Sequence, residues 1–64
     1  MKMWIARDSD NSLWLHKNEP EVREDGISVK KYWICIGGYW QLDEDFFPSV
    51  TFENSPQQVE IKLI

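Results

Sequence analysis

The side chains that could carry out covalent chemistry are few in this sequence. Cys35 and His16 are the only cysteine and the only histidine among the 64 residues. Nucleophilic catalysis by a thiol requires a base within about 3 Å and a third group that orients the base. Cys35 lies in the middle of an apolar β-type segment, which favours a small buried side chain. A structural zinc site needs about four Cys, His or acidic ligands, so we expect no bound metal.

A short acidic segment has the spacing of a metal-binding loop. The pattern Asp8-x-Asp10-x-Ser12 begins like a calcium loop, and Glu19 stands at its twelfth position. Such a loop requires glycine at its sixth position for a sharp bend, and this position is Leu13. We therefore interpret residues 8–12 as a turn whose side chains bond their own backbone.

Most of the other carboxylates lie at residues 19–25 and 43–45. Paired-carboxylate hydrolysis needs two such groups about 5–9.5 Å apart beside a cleft, and a small sheet has little room for a cleft of about 300–1,000 Å³. Gly37-Gly38 lacks the lysine and the following helix of a phosphate-binding loop. We therefore expect the protein not to be an enzyme and to use no cofactor.

The composition excludes several classes of protein. Hydrophobic residues make up 42% of the chain, including four Trp, two Tyr and three Phe, which is too apolar for a disordered segment. No window approaches the roughly 18 apolar residues of a membrane-spanning helix. Eleven acidic against seven basic residues give a net charge of −4, which disfavours nucleic acid and anionic membranes as partners. The single cysteine and the lack of a signal-peptide pattern predict a cytoplasmic protein.

The length of the chain predicts one domain over residues 1–64. Residues 2–7 and 13–17 read as two strands joined by the turn, and two registers of this hairpin are open. With a four-residue loop, one face carries Trp4, Ala6, Leu13 and Leu15. With one extra residue in a bulge, that face carries Met3, Ile5, Leu13 and Leu15, and the opposite face carries Trp4 and Trp14.

The strongest local signal is Gly37-Gly38 between two apolar segments, which predicts a two-residue hairpin turn. The turn would pair Ile36 with Tyr39, Cys35 with Trp40, Ile34 with Gln41, and Trp33 with Leu42. One face of this hairpin, the better core candidate, would then carry Trp33, Cys35, Trp40 and Leu42. The other would carry Tyr32, Ile34, Ile36, Tyr39 and Gln41.

The remaining segments complete an all-β prediction. Residues 18–26 read as an exposed loop with a brief extended stretch at Val22. Residues 43–47 read as a short helical turn that Asp43 caps, with Phe46 or Phe47 covering the end of the sheet. Residues 50–53 and 59–64 read as strands, the latter with Val59, Ile61 and Leu63 facing inward. The expected fold is an antiparallel meander of four to six strands, with a partial SH3-like barrel as one way of curling it.

The chain resembles a group of short uncharacterised bacterial proteins, some of which are prophage-borne. The resemblance rests on residues 4–8 (WIARD), 13–15 (LWL) and 46–53 (FFPSVTFE), with Pro56 and the alternating end. It spans most of the chain and implies no activity, because it includes no chemically specific motif. A prophage origin would favour an accessory factor that binds other proteins.

The aromatic residues are the only feature that indicates a function. We predict that Trp14, Tyr32, Ile34 and Tyr39 form a partner-binding surface, because exposed Trp and Tyr dominate binding hot spots. The partner would be another protein or a second copy of the chain, and the acidic loops would steer a basic partner towards it. The alternative is a module that binds a carbohydrate or another small ligand through exposed Trp and Tyr. A purely structural role in the core accounts for the same residues.

Overall fold

A computed structural model describes residues 1–24, 26–27 and 30–62 of the chain. Within these ranges the chain contains strands and no helix. The strands are β1 (Lys2–Arg7), β2 (Leu13–His16), β3 (Glu21–Glu24), β4 (Lys31–Ile34), β5 (Tyr39–Leu42) and β6 (Gln57–Glu60). A four-stranded antiparallel sheet has the order β5-β2-β1-β6, and β3 pairs with β4 in a second, two-stranded sheet. The predicted all-β antiparallel class is confirmed, but the sheets do not close into an SH3-like barrel.

β1 and β2 form the predicted hairpin, and its register is the second of the two alternatives. Arg7 pairs with Leu13 and Ile5 with Leu15, which leaves residues 8–12 as the loop. The backbone N–H of Asp8 donates to the Ser12 carbonyl at 2.9 Å, and Asn11 takes a left-handed φ of 78° that asparagine tolerates. Ile5 and Leu15 therefore share a face, while Trp4 and Trp14 lie on the opposite one.

The hairpin predicted at Gly37-Gly38 is wrong. Gly37 does have a positive φ of 108°, but the bend carries the chain from one sheet to the other. β4 pairs with β3, and β5 pairs with β2, so that Leu42 lies opposite Leu13. The N–H of Lys17 donates to the Gly38 carbonyl at 2.9 Å, next to the β2–β5 ladder. A local turn signal cannot reveal this long-range pairing, which brings Leu42 to the core.

The main hydrophobic cluster lies on one face of the four-stranded sheet, and Ala6 is buried on the opposite face. Ile5, Leu13 and Val50 are buried together, and Leu15, Leu42 and Val59 pack against them. The predicted core face of the Gly37-Gly38 hairpin is therefore not formed. Trp33 belongs to the two-stranded sheet, Cys35 follows that strand, and Trp40 is 51% exposed. The Trp40 ring packs so closely on Gly38 that a Cβ there would lie 2.9 Å from it.

The long segment between β5 and β6 folds over the core face without regular structure. The helical turn predicted at residues 43–47 is a reverse turn, in which Phe46 N donates to Asp43 O and the Asp43 side chain accepts from Asp45 N. The strand predicted at residues 50–53 is absent, because Thr51 and Asn54 bond each other's backbone instead of a neighbouring strand.

Two of the predicted segments, residues 18–26 and the last strand, differ in detail from the structure. The exposed loop predicted at residues 18–26 contains β3, which includes the extended stretch expected at Val22. The strand predicted at residues 59–64 is instead β6, Gln57–Glu60. Val59 packs against the core, in agreement with its predicted inward position, and Ile61 N donates to Met1 O. The inward position predicted for Leu63 lies outside the described residues.

None of the described segments is a helix that could cross a membrane.

Candidate functional site

The four residues predicted to bind a partner line a single depression, although the hairpin behind that prediction is wrong. Trp14 comes from β2, Tyr39 from the adjacent β5, and Tyr32 and Ile34 from β4 of the other sheet. The depression has a volume of about 220 Å³ and its lining is completed by Asp8 and Trp33. We call Trp14, Tyr32, Ile34 and Tyr39 the aromatic patch.

The patch is open to solvent and its rings pack edge to face. Tyr39 is 50% exposed, Ile34 38% and Tyr32 37%, while Trp14 is half-buried. The ring centroids of Trp14 and Tyr39 lie 5.6 Å apart at an interplanar angle of 69°. Such T-shaped pairs are favourable because the positive edge of one ring meets the negative face of the other. The pair therefore keeps part of both rings available on a fixed surface.

The loop of residues 8–12 holds the two halves of the patch together. The Asp8 carboxylate accepts a hydrogen bond from the backbone N–H of Trp33 at 2.8 Å. The Ser9 hydroxyl donates to the Lys31 carbonyl at 2.7 Å and accepts from the Lys31 N–H. These bonds attach β4 to the β1–β2 loop, because residues 31 and 33 present their backbone to the same side. The positions of Tyr32 and Ile34 therefore depend on Asp8 and Ser9.

The same loop orients the Trp14 indole. Trp14 Nε1 donates to the Ser12 hydroxyl at 3.0 Å, and that hydroxyl donates to Asp10 Oδ1 at 2.6 Å. Asp10 also accepts from the Ser12 N–H. Asp10 thus bonds its own loop, as expected for a turn, whereas Asp8 also bonds the Trp33 N–H outside the loop. In the described ranges no cluster of His, Cys, Asp and Glu could hold a metal ion.

Electrostatics distinguishes the two acids of the loop. Burial raises the pKa of Asp8 above its ordinary value, the neighbouring Asp10 charge raises it further, and the hydrogen bond from Trp33 opposes the increase. The hydrogen bonds from Ser12 hold the pKa of Asp10 below its ordinary value, with a contribution from the Lys30 charge. Asp8 is the only charged residue among those that line the depression.

His16 lies next to Tyr39 of the patch and is almost fully buried, at 1% exposure. Its ring centroid is 6.1 Å from that of Tyr39, and neither ring nitrogen has a hydrogen-bond partner among the described residues. Burial lowers the pKa of His16, so the neutral ring is favoured in the folded protein. The Cys35 thiol contacts the Gly38 carbonyl at 3.6 Å, and no described hydrogen bond joins it to His16.

A second surface, which the sequence did not reveal, lies beside the core. Two consecutive phenylalanines, Phe46 and Phe47, are half-exposed and line an apolar groove of about 540 Å³. The groove is completed by Ile5, Leu15, Leu42, Val59, Glu60 and Ile61. The sequence predicted that Phe46 or Phe47 would cover the end of the sheet; both residues line this groove and remain half-exposed. Phe47 has a left-handed φ of 50°, which is unusual for a bulky residue.

Arg7 explains the position of this segment. Its guanidinium is buried, and all five of its N–H groups donate to backbone carbonyls. The acceptors are Val50, Asn11, Glu44, Phe46 and Phe47. Arginine side chains are mostly exposed in proteins, so the sequence did not indicate this role.

A third depression of about 470 Å³ lies beside Arg7 and includes Asp8, Glu44, Asp45 and Glu53. Its volume exceeds what the sequence led us to expect for such a small sheet. The Arg7 guanidinium has no free donor there, because its N–H groups are committed to the carbonyls. Volume and acidic lining by themselves identify no reaction.

Comparison with known proteins does not assign the chain to a family. No family model matches it, and the curated proteins and the solved structures contain no significant match. The fold and the surface define the class: a small antiparallel β domain of two sheets with an aromatic depression where the sheets meet.

Proposed function

We propose that the protein is a non-enzymatic interaction module that contacts a protein partner through the aromatic patch. The observation that carries the proposal is that Tyr32, Ile34 and Tyr39 stay 37%, 38% and 50% exposed. The buried cluster of Ile5, Leu13 and Val50 contains no patch residue, so none of these three exposed side chains belongs to it.

The type of residue on the patch supports a binding role. Trp and Tyr offer large, rigid contact areas with polar tips, and they are enriched among residues that dominate binding energy. The loop of residues 8–12 fixes the patch across two sheets, so little ordering would be required on association. A reducing compartment, the cytoplasm, suits the free thiol of Cys35.

Two isoleucines from one segment offer a matched test. Ile34 lies in the patch and is 38% exposed, whereas Ile36 is 92% exposed and lies outside it. We expect Ile34→Ser to abolish binding of the partner and Ile36→Ser to leave the affinity unchanged, when purified partner is titrated against each variant by calorimetry. Candidates would come from cross-linking in cells. Equal affinity of both variants for every candidate would refute the proposal.

Self-association is distinguished by the oligomeric state. Size-exclusion chromatography with light scattering at two concentrations would show a concentration-dependent dimer if the patch binds a second copy, and Ile34→Ser would abolish it. A monomer at both concentrations supports a different protein as the partner. Carbohydrate binding, the alternative function, would appear as a saturable change of tryptophan fluorescence with oligosaccharides.

A further inference from the structure

We propose that the depression of the aromatic patch receives one cationic side chain, arginine or lysine, from the protein partner. This inference rests on the proposed function and names the chemistry that the patch would recognise. It follows from the lining, which combines four aromatic rings, those of Trp14, Tyr32, Trp33 and Tyr39, with a single carboxylate, Asp8.

The ring faces favour a positive charge. A cation within about 6 Å of an aromatic centroid is attracted by the negative face of the ring, and the attraction grows when water is displaced. Trp14 and Tyr39 both line the depression, and their ring planes are inclined to each other by 69°. A cation in the depression would therefore lie near more than one ring.

Asp8 supplies the counter-charge. One carboxylate oxygen, Oδ1, accepts from the Trp33 N–H at 2.8 Å. The other, Oδ2, has a long contact of 3.4 Å with the Ser12 hydroxyl, and the Trp14 side chain also interacts with this carboxylate. A carboxylate offers about four acceptor positions, so it can accept a further hydrogen bond. An ammonium or guanidinium group would donate to it, and such charge-assisted bonds are stronger than neutral ones.

The size of the depression indicates one side chain. Its volume of about 220 Å³ lies below the range of roughly 300–1,000 Å³ that is typical of small-molecule pockets. The net charge of −4 would steer a basic partner towards the domain. Size and charge together favour a protruding arginine or lysine.

The test uses the four indole N–H signals of the ¹⁵N-labelled protein, assigned by Trp→Phe variants. The probe is N-acetyl-arginine amide, and its neutral isostere N-acetyl-citrulline amide is the matched control. We expect saturable shifts of the Trp14 and Trp33 signals with the arginine probe, an affinity about fivefold or more lower for citrulline, and weaker binding at high salt. Nα-acetyl-lysine amide, whose side-chain ammonium group is free, should also shift the Trp14 and Trp33 signals.

Two aspartate variants separate charge from structure. Asp8→Asn keeps an acceptor for the Trp33 N–H and removes the charge, and Asp45→Asn makes the same change at an exposed residue outside the lining. Asp8→Asn should weaken binding of the arginine probe about fivefold or more, and Asp45→Asn should leave its affinity within about twofold. If Asp8→Asn fails to fold, Tyr39→Leu, which removes a half-exposed ring, serves as the second variant and should weaken the probe similarly.

Several outcomes overturn the inference. These are equal shifts with the arginine and citrulline probes, shifts confined to Trp40, or saturable binding of an oligosaccharide at Trp14 without binding of the cation. Failure here is distinct from failure of the proposed function. A partner that is lost with Ile34→Ser but unaffected by Asp8→Asn would leave the interaction module standing and remove only cation recognition.

Discussion

The buried Arg7 guanidinium holds the segment between β5 and β6 onto the sheet, and its removal is the most informative test of the fold. Arg7 is 6% exposed, and none of the described carboxylates forms an ion pair with it. Its charge is compensated by five backbone carbonyls. The substitution Arg7→Met keeps most of the aliphatic stem and removes every one of these bonds.

The expected loss follows from the burial of each bond. The bond from Nε to the Val50 carbonyl is buried, so that acceptor loses its partner in a site closed to water, which costs about 1–3 kcal/mol. The other acceptors are part-buried, and water can replace the guanidinium there. With the loosened segment included, we expect a total loss of about 3 kcal/mol, or roughly 12–24 °C in Tm for a domain of this size.

Arg7→Lys should be as damaging as Arg7→Met. An ammonium group offers three donors at one point, so it cannot reach five carbonyls that surround a planar fork, and its charge stays buried. The assay is urea unfolding, followed by tryptophan fluorescence and far-ultraviolet circular dichroism. Arg23→Met, at an exposed arginine of β3, is the control and should change stability by less than about 0.5 kcal/mol. A loss below about 1 kcal/mol for Arg7→Met would refute the role of the carbonyl cage.

Three further substitutions test other parts of the structure by the same unfolding assay. Because the pKa of His16 is lowered in the folded protein, the imidazole of the unfolded chain takes up a proton at a higher pH. The free energy of unfolding should therefore fall as the pH drops below about 6.5. If His16→Leu has the same pH profile of stability as the original protein, this explanation is wrong. Gly37→Ala should cost about 1 kcal/mol or more, because φ is 108° and a Cβ would lie 2.7 Å from Asn18 Nδ2. Gly26→Ala is the control and should be neutral or slightly stabilising, because nothing lies within 4 Å of a Cβ there. Leu13→Ala, at a side chain with 0% exposure, should cost about 2–5 kcal/mol by leaving a cavity, and a cost under about 1 kcal/mol would show that Leu13 is not central to the core.

Local signals predicted most of the strands. The alternation in residues 2–7 and 13–17 and the polar turn between them correspond to β1, β2 and their loop. Such signals work because a turn and the strands beside it are determined by neighbouring residues. The register of this hairpin stayed open, because the choice between Trp4 and Ile5 on the core face depends on what covers that face.

The residues of the aromatic patch were predicted together, but only part of the reasoning behind that prediction is correct. Side chains two positions apart in a strand point to the same side whatever the partner strand is, so Tyr32 and Ile34 stay together even though β4 pairs with β3. Their proximity to Tyr39 does not follow from the Gly37-Gly38 turn. It follows from the hydrogen bonds that attach β4 to the loop of residues 8–12.

By itself the sequence determined an all-β chain, its turns and the alternation of its strands, because these depend on backbone preferences and on neighbouring side chains. Only the tertiary structure decided that β5 pairs with β2, that Arg7 is buried in a cage of carbonyls, and that Asp8 faces four aromatic rings. Each of these arrangements joins groups far apart in the chain, and a pairing between distant segments is selected by the burial and hydrogen bonding of the whole fold rather than by either segment alone.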